Sequence, residues 1–188
     1  VASEALEAFG GAGYVEDTHL PVLLRDAQVL PIWEGTTNVL SLDVLRALQR
    51  DAAPERDGLR QLGGALEPYL QDVRRHARRA THPALTPVVE RALAAADHAA
   101  AWLEEAVAMG DADVLAHGAR RFAVTLGRAM QAALLAAQGQ HDLDVGGDGR
   151  GVAVARRFAA QRLNVLEPPG RDRASDAALA RDEPLPPL

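Results

Sequence analysis

The chain has no cysteine, no lysine and a single isoleucine, and aromatic side chains make up 4% of its 188 residues. Without cysteine there is no disulfide framework and no thiolate metal site, so a reducing cytoplasm is the expected compartment. The six histidines (19, 76, 82, 98, 117 and 141) show no HExxH or other ligand spacing, and no metal site is expected. No serine stands in a Gly-x-Ser-x-Gly elbow, which removes the usual serine-hydrolase reading. Apolar runs last only a few residues, so no membrane span is expected. All 20 basic residues are arginine, against 26 acidic ones, for a formal charge of −6. An acidic chain is a poor generic binder of nucleic acid, although a local basic patch remains an alternative.

What the chain does have is alanine (38) and leucine (26), together about a third of its residues. Unbranched side chains lose little rotamer freedom in a helix, so this balance favours helix over sheet. The chain opens at Val1 already inside a helical pattern, without Met and without a signal-peptide pattern, and reads as a piece of something longer. The first helix stops at Gly10-Gly11-Ala12-Gly13, because glycine admits the left-handed conformations that end helices. Leu20, Leu23, Leu24 and Ala27 then mark one face of a short helix interrupted by Pro31. A helix from about Glu34 to Arg50 carries a stripe of Val39, Leu42, Leu45 and Leu48.

Beyond residue 50 the pattern predicts four longer helical segments. Asp57 caps the first, with Leu59, Leu62, Leu66, Tyr69, Leu70 and Val73 along it. Thr86-Pro87 reads as a cap followed by proline at the first helical position. That helix runs to Gly110, and Asp111 opens the next, which ends at Gly139. Residues 139–151 hold five glycines and three aspartates and read as a loop. Val152 to Leu166 forms the last helix, and the Pro-rich tail 167–188 is expected to be flexible and disordered or draped on the surface. With no alternating strand pattern and no βαβ unit, the fold class is all-α, an antiparallel helical bundle.

Three elements bear chemistry: Phe9-Gly10-Gly11-Ala12-Gly13-Tyr14, Arg25-Asp26-Ala27, and Trp33-Glu34-Gly35-Thr36-Thr37-Asn38. On physical grounds alone, Glu34 is a good first-turn residue, because a carboxylate is stabilised at the positive end of a helix. Taken together and in this order, the three resemble the C-terminal part of the flavin-dependent acyl-CoA dehydrogenases, over residues 1–50. That family pairs an F-G-G-x-G-[YF] turn with R-D-A and an aromatic-E-G-T segment.

The resemblance implies an α,β-dehydrogenation of an acyl-CoA thioester with FAD as cofactor. Glu34 matches the base that removes the α-proton while the β-hydride passes to flavin N5; burial beside flavin and acyl chain would raise its pKa to suit that task. Trp33 and Gly35 match positions at the acyl substrate. Thr36 and Asn38 match positions contacting FAD, at a helix N-terminus whose free N–H groups suit flavin or phosphate oxygens. Gly10 and Gly11 match the turn that approaches the FAD of a neighbouring subunit, which implies a homo-oligomer. Glu7 stands where relatives often have glutamine, and no role is assigned to it; Arg25 and Asp26 read as structural.

The remainder, residues 51–166, is similar to the helical extension of a larger subfamily that includes an adaptive-response branch, some of whose members bind DNA. Arg74, Arg75, Arg78 and Arg79 share one helix face and could meet phosphates; pairing with Asp72 and Glu67 on a solvated face is the favoured reading. The alternative to an enzyme is therefore a non-enzymatic helical interaction module. The chain by itself is expected to be inactive and not to bind FAD, since the flavin-binding domains of the family have no counterpart in it. Electron acceptor and acyl substrate belong to the parent enzyme.

Overall fold

The computed structural model describes residues 1–50 and 66–185, and among them there is helix and no strand. They fall into two compact units, residues 1–40 and 41–188. The expected Asp57 cap, with Leu59 and Leu62, lies outside the described residues.

The first unit contains α1 (Ala2–Ala8), a 3₁₀ turn at Gly10–Gly13, a second at Glu16–Thr18, and α2 (Leu20–Val29). The helix α1 packs against α2 and against the glycine turn. Gly10, at φ +57°, takes the chain out of α1. Gly13 has a different constraint: an added Cβ would lie 2.0 Å from the Leu6 carbonyl oxygen, so only glycine lets the turn fold back on α1. The Thr18 hydroxyl ties the connection, 2.7 Å from the Ala12 carbonyl and 2.8 Å from that of Val15. Along α2, Leu20, Leu24 and Ala27 are half-buried as the spacing predicts, while Leu23 is exposed.

The helix α3 (Thr37–Arg50) begins three residues later than the pattern suggested. Its Leu45 and Leu48 are buried in the core of the second unit, which also comprises α4 (Leu66–Ala77), α5 (Thr86–Ala108), α6 (Ala112–Gly146), α7 (Arg150–Ala160) and α8 (Arg173–Ala180). The helix α6 is the spine, packed against α4, α5 and α7. Pro87 stands in the first turn of α5, and the Asp111 carboxylate caps α6 by accepting from Asp113 N–H at 2.9 Å. Thr86 is not a cap; it is already helical, and the preceding 3₁₀ turn is capped by His82 Nδ1.

Much of the helix interface is alanine: Ala92, Ala95, Ala96 and Ala99 on α5 meet a core shared with Ala129, Ala132, Ala133 and Ala136 on α6. Small side chains let backbones approach closely, so dispersion contacts compensate for the small transfer energy of each methyl. Trp102 and Phe122 form the large anchor, their rings stacked at 5.6 Å. Two polar side chains in this core are satisfied: the Tyr69 hydroxyl donates to the Leu126 carbonyl, and Thr125 Oγ1 donates to the Arg121 carbonyl and accepts from Val165 N–H.

Two expectations are corrected. The stretch 139–151 is mostly helix, because α6 continues to Gly146 and only 147–149 connect it to α7. Gly139 serves packing, since an added Cβ would meet Gly151 and Val152 backbone at 3.0 Å. The last long helix stops at Ala160, and 161–166 lie outside any helix with Leu163 and Leu166 buried. The described part of the tail, 167–185, is draped on the second unit. It carries α8, and three contacts fasten it: Trp102 Nε1–H donates to the Glu167 carbonyl, Arg173 pairs with Asp111, and His117 Nε2 lies 2.9 Å from Asp176. Among the described residues no helix is long and apolar enough to cross a membrane.

Candidate functional site

The residues singled out by sequence lie on the exposed ends and turns of the first unit. After α2, the chain makes a tight turn over Pro31–Glu34. Trp33 N–H donates to the Val29 carbonyl at 3.0 Å, and Gly35 N–H donates to Ile32 at 3.1 Å. Gly35 has φ +126°, open to glycine and costly for other residues, and an added Cβ would press on Val39 and Leu40. The Thr36 carbonyl accepts from Leu40 N–H, the first hydrogen bond of α3. Thr36 therefore occupies the start of α3, where backbone N–H groups lack intrahelical partners.

Glu34 sits in the turn, exposed, ahead of the helix and not in its first turn. The start of α3 is held instead by the neutral residues Thr36, Thr37 and Asn38, with no acid in its first turn. Thr37 and Asn38 are both engaged in interactions of their own. Trp33 is exposed over two thirds of its surface (68%), and Ile32 beside it is also exposed. A plain core tryptophan would be covered.

At the other turn, Gly10 and Gly11 present the opposite picture to Gly13. An added Cβ at either meets nothing within 4 Å. Gly10 still needs glycine for its positive φ, but at Gly11 neither conformation nor space within this chain requires it. Phe9 and Tyr14, which flank the turn, are exposed as well.

Arg25 is structural, though its partner is Glu16 and not Asp26. The guanidinium meets both carboxylate oxygens at 2.9 Å, a bidentate pair that braces the second 3₁₀ turn on α2. Its hydrogen bonds hold the Glu16 carboxyl below the usual carboxylate range. Sequence reading passed over Gly13, Thr18 and Glu16. Gly13 belongs to the glycine motif itself; Thr18 and Glu16 have no signal apart from their fold contacts.

The arginine face on α4 is partly neutralised. Arg74 reaches Glu67 at 3.3 Å and Asp97 at 3.1 Å, and Arg75 pairs with Asp72 at 2.9 Å. That is the solvated, acid-paired face favoured from sequence. Among the described residues no three His, Cys, Asp or Glu side chains are grouped to hold a metal ion.

Comparison with known proteins follows the same division. Residues 1–49 match the family described as acyl-CoA dehydrogenase, C-terminal domain, and residues 64–185 match acyl-CoA dehydrogenase 11 C-terminal domain-like. Acyl-CoA dehydrogenase family member 11 of Caenorhabditis elegans is 78% identical over 46 residues, covering 24% of this chain and 8% of that protein. The 3-methylmercaptopropionyl-CoA dehydrogenase of Ruegeria pomeroyi is 44% identical over 52 residues, 27% of this chain and 9% of its own length. The cyclohexane-1-carbonyl-CoA dehydrogenase of Geobacter metallireducens is 32% identical over 53 residues, 28% of this chain and 14% of that protein. The aligned stretch thus spans a small part of these curated relatives. No solved structure gives a significant match to the chain.

Proposed function

This chain belongs to the acyl-CoA dehydrogenase family, and from that membership we propose that it carries the catalytic base of an FAD-dependent α,β-dehydrogenation of an acyl-CoA thioester. The observation that supports this reading best is the Trp33–Thr36 turn. It offers a carboxylate and an indole to solvent, immediately before the start of α3.

In this reading Glu34 takes the α-proton of the thioester onto its carboxylate. An exposed carboxylate is a weak base for so weakly acidic a proton, so the rest of the enzyme must bury Glu34 before it can act. Trp33 and Gly35 shape the acyl site, the indole by apolar cover and the glycine by giving a backbone turn no side chain could follow. FAD supplies the hydride acceptor. The residues fit such a group: Thr36 and Asn38 lie where helix N–H groups suit an anionic or carbonyl oxygen. The space beside Gly10 and Gly11 lets another surface reach the backbone.

We further propose that residues 1–50 form the end of the family's catalytic helical domain and 51–166 a helical extension, with the tail from 167 docked onto that extension. The active protein is a cytoplasmic homo-oligomer. The chain alone supplies the base without the surfaces that bury it, and is inactive. Mixing it with FAD, octanoyl-CoA and a dye acceptor gives no turnover, whereas sustained dye reduction by the chain alone would contradict the proposal.

A further inference from the structure

A groove of about 290 Å³ lies beside α4 and α6, and none of the residues discussed as part of the dehydrogenase site lines it. Its walls are His76 from α4, Arg79 from the turn that follows it, and Leu134, Ala137, Gln138 and His141 from α6. The last four fall at i, i+3, i+4 and i+7, one face of α6.

The polar part of this lining is one guanidinium, two imidazoles and one carboxamide, with no carboxylate. The nearest acids along the two helices are already engaged: Asp72 with Arg75, Asp142 with the Gln138 amide at 2.7 Å, and Asp144 with Gln140 at 2.8 Å. Arg79 makes no ion pair among the described residues, unlike Arg74 and Arg75 on α4. His76 Nδ1 is buried without a hydrogen bond, the one such side-chain atom among the described residues. No protein group hydrogen-bonds that nitrogen, and the residue lines the groove.

Two imidazoles without a third ligand do not make a metal site. A guanidinium and two imidazoles lining one groove, with no carboxylate in the lining, suit an oxyanion. The groove is larger than a bare anion, and Leu134, 43% exposed, gives it an apolar wall. We propose that it binds a phosphate-class oxyanion carried on a small organic molecule, with Arg79, His76 and His141 on the oxygens and Leu134 against the organic part.

The test titrates the 188-residue chain with inorganic phosphate and with phenyl phosphate at constant ionic strength, following the imidazole signals of His76 and His141 by NMR. Saturable shifts of both rings are expected, with phenyl phosphate binding several-fold tighter because it reaches Leu134. Losing a charge-assisted contact in Arg79→Gln weakens binding about tenfold or more. Arg156→Gln, on α7, leaves it unchanged. His141→Ala, at an exposed position, gives an independent second variant. Shifts that follow chloride equally, or affinities unaltered in both groove variants, would overturn the proposal. A response to duplex DNA with none to either small phosphate would also overturn it, in favour of a nucleic-acid surface.

Discussion

The Cβ that Gly118 lacks would fall 2.1 Å from Cζ2 of Trp102, so the indole lies directly on the α6 backbone. From that position the ring stacks on Phe122 and its N–H holds the Glu167 carbonyl. One glycine thus seats both the largest core side chain and the start of the tail. Gly118→Ala is expected to cost about 1–3 kcal/mol, the usual range for overpacking a core. Urea unfolding measures it, and wild-type stability in that variant would contradict the packing argument.

The tail is fastened by charge as well as by packing. The hydrogen bond from Arg173, then that from Asp113 N–H, holds the Asp111 carboxyl below its ordinary pKa. A depressed carboxylate contributes stability above its unfolded pKa, which is lost as pH falls through the folded value. The clamp is therefore intact at neutral pH and weakens below about pH 4, the ordinary carboxylate range. Hydrogen exchange over α8 should quicken at acid pH, and Arg173→Gln should give the same quickening at pH 7. Equal protection of α8 in wild type and variant at pH 7 would count against the clamp.

Gly11 and Gly13 separate internal packing from external docking. Gly13→Ala drives a methyl into the Leu6 carbonyl and should disrupt the first unit, seen as lost amide protection over residues 2–13. Gly11→Ala meets nothing within the chain and should leave that protection unchanged. In the full-length enzyme, however, Gly11→Ala should weaken flavin retention, because the methyl stands where another surface must approach. Unchanged retention there would remove Gly11 from the cofactor site.

The first unit also exposes Phe9, Tyr14, Ile32 and Trp33, each by more than half, with Trp33 at 68%. Exposed large apolar groups seek cover. The chain should self-associate through residues 1–40, and Trp33→Ser with Tyr14→Ser should shift light scattering toward the monomer. A wild-type chain that is monomeric at high micromolar concentration would contradict this.

Helix identities were legible in the sequence where local signals agree, as at Asp111 capping α6 or Pro87 opening α5. They were not legible where glycine has two uses. Gly139, Gly146 and Gly151 read as a loop, yet Gly139 and Gly151 serve close approach inside a helix pair, which only tertiary packing reveals. The tail's proline content suggested flexibility, but its anchors Trp102, Asp111 and His117 lie about sixty residues upstream, beyond any local pattern. At the candidate site the residue types were readable from the motif. The exposure of Glu34 and Trp33 was not, because it depends on what the rest of the enzyme covers.

The central claim is that Glu34 is the proton-abstracting base. The direct measurement is exchange of the α-proton of bound acyl-CoA with solvent deuterium in the full-length enzyme, comparing wild type with Glu34→Gln. The amide preserves size and hydrogen bonding but cannot accept the proton. Exchange should be abolished while flavin stays bound at wild-type stoichiometry. Exchange at near wild-type rate in a flavin-loaded Glu34→Gln enzyme would place the base on another residue.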